Sequence, residues 1–198
     1  MTPAYGQINQ RDLCLSGSVK YGSLPAGTPL NHSCLSYATD CNYMPPPPSG
    51  WALDKEAWHV AVKRDVKDAF GAWAKINPKL VFIEGHMGYD PSAVALWKAM
   101  EKKCLIHVDR SKVNYGEPAY LICNNSYDWD VVRNPVSFHI QSVLKYGIGL
   151  WLGLPHLVSD DPDELMQGLF YVGRVKDITR KDQEAVQSLY PPKLHIAF

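Results

Sequence analysis

From Asp54 to Ile76 the apolar side chains Val62, Val66, Phe70 and Trp73 recur every three or four residues, with Lys63, Arg64, Lys67 and Asp68 between them. That period lays one apolar stripe along an α-helix, and Asn77-Pro78 stops it. Leu80-Val81-Phe82-Ile83 then predicts a buried strand, and Cys104 to Val108 and Tyr120 to Cys123 predict two more. Between them Pro91 to Lys103, carrying Val94, Leu96, Trp97 and Met100, suits a short helix. Asn134-Pro135 supplies a cap followed by proline in a first helical turn. Val136, Ile140, Val143 or Leu144, and Gly147 continue a buried stripe from there to Gly153-Leu154-Pro155, where glycine caps and proline forbids continuation. Thr179-Arg180-Lys181-Asp182 has the form of a capping box that opens a short helix through Val186 and Leu189, stopped by Pro191-Pro192. The alternation predicts a mixed α/β (α+β) domain.

Residues 1–50 break this pattern. They are rich in Gly, Ser, Pro, Asn and Tyr and end in Pro45-Pro46-Pro47-Pro48-Ser49-Gly50, which favours polyproline II and excludes a helix interior. We expect an irregular arm over 1–50, interrupted by one strand near 35–38 that can belong to the compact domain, and a domain over 51–198. Tyr5, Tyr21, Tyr37 and Tyr43 make the arm a candidate clamp for other protein subunits, dispensable for folding. At 198 residues, one core is the default.

Lys plus Arg and Asp plus Glu both number 20, so no global field recruits nucleic acid or an anionic membrane. The N-terminus lacks a basic segment followed by an apolar run, and no stretch approaches the roughly 18 apolar residues of a span. A soluble chain of unassigned compartment is expected. Cys14, Cys34, Cys41, Cys104 and Cys123 are odd in number without C-x-x-C spacing, which argues against a zinc ribbon or a thioredoxin-type site. Buried thiols are expected; the alternative, a Cys34–Cys41 bridge, would imply an oxidising compartment. Asn31-His32-Ser33 and Asn124-Asn125-Ser126 match a glycosylation pattern short enough to arise by chance.

Several landmarks fall in the order found in matrixins, the metzincin peptidases that include the matrix metalloproteinases. Ala69-Phe70-Gly71-Ala72-Trp73 followed by Asn77-Pro78-Lys79-Leu80-Val81-Phe82 resembles the family's first helix, whose tryptophan precedes a T-P-L-x-F strand. Tyr120 to Trp129 is similar to the stretch ending H-F-D-D-D-E-x-W. Gly153-Leu154-Pro155-His156, Asp161 to Met166 and Gln183 to Tyr190 resemble the end of the zinc motif, the methionine turn and the closing helix. The resemblance covers roughly residues 30–192 and implies a metzincin-like domain: a twisted mixed sheet with two long helices and a C-terminal helix.

The family's motif is H-E-x-x-H-x-x-G-x-x-H. With His156 in the last position, Tyr146 stands first, Gly147 replaces the glutamate, Leu150 stands at the second histidine and Gly153 matches the glycine. Catalytic zinc needs three protein ligands and an open position for water, and the glutamate takes that water's proton. Two ligands and the base are absent, so the resemblance implies a non-catalytic pseudoenzyme with no zinc or other cofactor. The degenerate site is Tyr146, Gly147, Leu150, Gly153, His156 and Met166, with Tyr146 and Leu150 expected to cover the old floor and His156 to bond to protein or water. Ser126 and Tyr127 likewise replace acidic positions of the structural-ion segment, leaving Asn124 and Asn125 as weak neutral oxygens.

His59 and His139 lie on expected helices without metal-ligand spacing. Asp160, Asp161, Asp163 and Glu164 form an acidic loop that lacks the spacing of a known calcium loop. The function expected is therefore a structural or protein-interaction subunit of a larger assembly, such as a virion or organelle complex. The alternatives are a peptide-binding decoy that adds a strand to the sheet edge of the old cleft, and an enzyme with a relocated site.

Overall fold

The structure, a computed structural model, describes residues 7–9, 27, 29–30, 34–85, 87, 91–101, 104–110 and 118–191. Cys14, Tyr5, Tyr21 and the Asn31-His32-Ser33 pattern lie outside the described residues. The elements in chain order are β1 (Gln7–Asn9), β2 (Cys34–Thr39), α1 (Lys55–Ile76), β3 (Val81–Glu84), β4 (Ala93–Lys98), β5 (Ile106–Asp109), β6 (Ala119–Asn124), β7 (Trp129–Asp130), β8 (Phe138–His139), α2 (Ile140–Leu152), β9 (Leu169–Tyr171) and α3 (Arg180–Leu189). The fold is mixed α/β, with a five-stranded mixed sheet and three α-helices among the described residues.

Helix α1 forms where the periodicity placed it. Asp54 caps it by accepting from Ala57 N, and its stripe of Trp58, Val62, Val66, Phe70 and Trp73 is fully buried. Tyr37 of β2 stacks on Phe70 with centroids 4.0 Å apart, which fixes the helix on the sheet. The indoles of Trp58 and Trp73 donate to Pro45 O (2.7 Å) and Lys145 O (2.9 Å), so neither ring carries an unsatisfied N–H into the core.

The sheet order is β3-β2-β4-β6-β5, parallel throughout except for β5, which runs antiparallel to β6. Two expectations are corrected here. Residues 93–98 form a central strand, not a helix, because Ala93 to Trp97 are covered on both faces and flanked by parallel β2 and β6. A fully buried parallel strand gives a continuous apolar run, whose periodicity does not distinguish it from a short helix. Strand β3, expected to be buried, is an exposed edge: Val81 and Ile83 are 48% and 52% exposed. Only Phe82 turns inwards, tilted against Phe70 and Trp151.

Helix α2 begins later than expected. Asn134 to Ser137 form a turn in which the Asn134 side chain accepts from Val136 N and Ser137 N donates to Asn134 O. The helix starts at Ile140 with His139 as its cap, the imidazole accepting from Ser142 N. Its C-terminus matches expectation: Gly153 is left-handed (φ 100°), and Leu154 N reaches Gly149 O. Helix α3 carries the capping box read from Thr179 and Asp182. Tyr190, just beyond α3, donates its hydroxyl to Leu152 O (2.6 Å) and accepts from Leu30 N (2.9 Å), while Asn77 Nδ2 donates to Tyr190 O.

Two described pieces of the N-terminal segment pair with strands of this core. β2 lies inside the sheet between β3 and β4, and β1 pairs antiparallel with β9. Cys104 and Cys123 are buried thiols, as expected, but Cys41 is free and exposed and therefore in no disulfide.

Candidate functional site

Eleven of the thirteen residues of α2 are buried, so the helix has no solvent-facing side on which to build a cleft. Tyr146 is 1% exposed. Its ring meets Phe170 edge-on with centroids 5.5 Å apart. A side chain at Gly168 would press on that ring, its Cβ lying 3.0 Å from the phenol oxygen, and Gly168 is left-handed at φ 72°. The hydroxyl lies 3.1 Å from Nδ1 and 3.2 Å from Nε2 of His156. The positions matched to the first and third zinc ligands are thus brought together, and they bond to each other.

The turn at Gly153 makes this meeting possible. It reverses the chain after α2, and Leu157 N then donates to Met166 O (3.0 Å), holding the segment after His156 against the loop that carries Met166. Met166 is fully buried under α2, where a Cβ at Gly149 would stand 2.5 Å from its sulfur and 3.1 Å from the Trp73 ring. Gly147, which the resemblance aligns with the general base, packs on β5. A Cβ there would overlap Ile106 Cδ1 and lie 3.4 Å from its Cγ1 and 3.8 Å from Val108 Cγ2. Any side chain at 147 has to displace the sheet contact before it reaches anything else. Leu150 is half-buried against the core, and its carbonyl accepts from Gly153 N.

Beside this closed centre, ionic groups hold the Met166 loop in place. The Asp182 carboxylate accepts from Leu165 N, Met166 N, Thr179 N and Thr179 Oγ1. Buried Lys176 donates to Glu164 O (2.7 Å) and Leu169 O (2.9 Å) and lies 5.4 Å over the Phe170 ring. Burial pulls its pKa down to about 8 against the opposing pull of Asp163, Asp182, Asp161 and Glu164. Asp182 was visible in the sequence as the capping-box residue; Lys176 carried no signal. Asp65 was also overlooked, although it sits on the apolar stripe of α1. It is 4% exposed with no partner on Oδ2. Burial raises its pKa to about 7, with Asp68 and Asp130 raising it and Arg64 and Lys145 opposing.

His59 lies half-buried on α1 and His139 is the cap of α2. A pocket of about 310 Å³ near the end of β4 gathers Lys98, Met100, Glu101, Cys104, His107 and Ile122. Of these, Cys104 is fully buried. Among the described residues no three His, Cys, Asp or Glu side chains converge where they could hold a metal ion, and no helix is long and apolar enough to cross a membrane. The chain matches no family model and no curated protein.

Proposed function

We propose that this chain is a non-catalytic, matrixin-like domain whose former metal centre is filled by its own side chains, and that it serves as a structural or protein-interaction subunit of a larger assembly. The observation that carries this reading is the contact between Tyr146 and His156, with Gly147 seated on Ile106. Two sequence positions ten apart that a zinc ion would share lie within hydrogen-bond distance. The methionine expected beneath them, Met166, is buried under the same helix. The mixed sheet and the helices α1, α2 and α3 are compatible with the metzincin-like domain that the resemblance implies.

Chemically the centre offers one phenol and one imidazole. A lone imidazole does not hold zinc with a free position for water, and Gly147 has no group to take that water's proton. The interaction role is supported by apolar side chains left in solvent: Val132 and Val136 (57% and 66% exposed) and Val175 (51%). Their loops adjoin, because Arg133 Nε donates to Gly173 O and Gly173 N to Ser137 O. A second reading, a decoy that captures extended peptides, has its support in β5, which pairs with β6 alone among the described strands.

The test is elemental analysis of purified protein together with turnover of casein, gelatin and a peptide library. Substoichiometric zinc and no turnover are expected. One tightly held zinc per chain with chelator-sensitive proteolysis would overturn the proposal. Micromolar binding of extended peptides without turnover would move it to the decoy.

A further inference from the structure

Strand β3 pairs with β2 alone among the described strands, and Val81 and Ile83 lie half in solvent on the face opposite Phe82. An apolar sheet edge is a template for any extended chain, and folded proteins cover such edges or charge them. Glu84 is the one charge on this strand. The end of α3 is fastened at the foot of the same strand. Asn77 Nδ2 donates to Tyr190 O (2.9 Å), and the Lys79 ammonium donates to Pro191 O. From there the sequence continues Pro192-Lys193-Leu194-His195-Ile196-Ala197-Phe198, in which Leu194, Ile196 and Phe198 alternate with Lys193, His195 and Ala197. A period of two is the signature of a strand with one apolar face.

We propose that the outer edge of β3 is a docking surface for residues 194–198 of the same chain, which add to it as a further parallel strand and cover Val81 and Ile83. The direction follows from the anchor. A segment that starts at Lys79 and lies along β3 runs the way β3 runs, as β2 also does. Asn77 and Tyr190 are 113 positions apart. The same offset sets Leu194 beside Val81 and Ile196 beside Ile83, apolar next to apolar on one face, with His195 beside Phe82. The length suffices, because the four residues of β3 span roughly 13 Å and five residues from Leu194 roughly 17 Å. Tethering decides between occupants: a strand held three residues from its anchor acts at an effective concentration of about 1 mM. A second copy meeting β3 over four residues falls well short of the area a stable dimer needs. With the segment docked, β3 is closed to strands of other chains; without it, the edge is open to them. The inference does not depend on the function proposed above.

The experiment is amide hydrogen exchange read by mass spectrometry. It compares the full chain, a chain ending at Pro192, which keeps the Pro191 carbonyl, and full chains carrying Ile196→Asp or Ile83→Asp. The β3 amides are expected to exchange about tenfold more slowly in the full chain than in the shortened chain or in Ile196→Asp. The α1 amides should stay equally protected in all of them, which shows that the fold is kept. Ile83→Asp alters an exposed side chain and should speed exchange within residues 194–198 by a similar factor. If the shortened chain fails to fold, Ile196→Asp decides. Exchange in β3 unaltered by Ile196→Asp or by the truncation, or exchange in residues 194–198 unaltered by Ile83→Asp, would overturn the proposal. Protection that rises with protein concentration and survives the truncation would overturn it too, by assigning the edge to a second copy.

Discussion

Replacing Gly147 by alanine sets two effects of known size against each other. In a helix interior alanine is better than glycine by about 1 kcal/mol, through the smaller entropy lost on folding. Against this, the added methyl overlaps Ile106 Cδ1 and lies 3.4 Å from Cγ1. Ile106 is 1% exposed and has nowhere to withdraw without disturbing the sheet, and overpacking of this kind costs about 1–3 kcal/mol. The clash should win, so Gly147→Ala is expected to be neutral to destabilising by about 2 kcal/mol. The decisive comparison is a double-mutant cycle with Ile106→Val, which deletes the overlapping Cδ1 and alone costs about 0.5–1.5 kcal/mol. In that background the methyl has room, and Gly147→Ala should stabilise by up to about 1 kcal/mol. The coupling of about 1–3 kcal/mol would be read from urea midpoints at constant m-value. If Gly147→Ala stabilises the wild type as much as it stabilises Ile106→Val, helix and strand do not touch at this point. The claim that a glutamate has no room at position 147 would then fail.

Two further outcomes follow from the ionisable groups and the topology. Asp65 titrates near 7 in the folded chain and near its ordinary carboxylate value when unfolded, so the folded state binds more protons between those limits. Its contribution is full below about pH 4 and is lost as pH rises through about 7; Asp65→Asn should flatten the fall in urea midpoint over that interval, and an unchanged slope would remove Asp65 as its cause. A chain beginning at residue 50 lacks β2, a middle strand of the sheet, and is expected to give no cooperative transition by calorimetry, whereas a sharp melt would return residues 34–39 to a separable arm.

What could be read from the sequence was local. The amphipathic period of α1, the Thr179/Asp182 capping box and the glycine stop at 153 are each complete within a few residues, and each is present in the fold. The failures lie where neighbours decide. Residues 93–97 look helical until β2 and β6 cover both faces, and Val81 and Ile83 look buried until β3 turns out to be an edge. Asn134-Pro135 has the chemistry of a helix start, but Phe138 and His139 first pair with Trp129 and Asp130. Of the candidate site, the spacing that relates Tyr146 to His156 was legible only through the family resemblance. The seating of Gly147 on Ile106 was not legible, because the partners lie forty-one positions apart. Asp65 was a legible signal passed over: a carboxylate on an apolar stripe needs a reason.

Tyr190 bears on how the chain reaches its fold during synthesis. Its hydroxyl joins Leu30 to the last carbonyl of α2, that of Leu152, and its own carbonyl receives Asn77 at the end of α1. Partners 160 residues apart cannot meet until nearly the whole described chain has left the ribosome, although translation delivers it from the N-terminus at about 5–20 residues per second. β2 must likewise wait for β4 before both its edges are satisfied. An architecture dominated by such distant pairings folds slowly. A ribosome paused before residue 190 would therefore hold a nascent chain whose two long helices are still unlocked at their C-terminal ends.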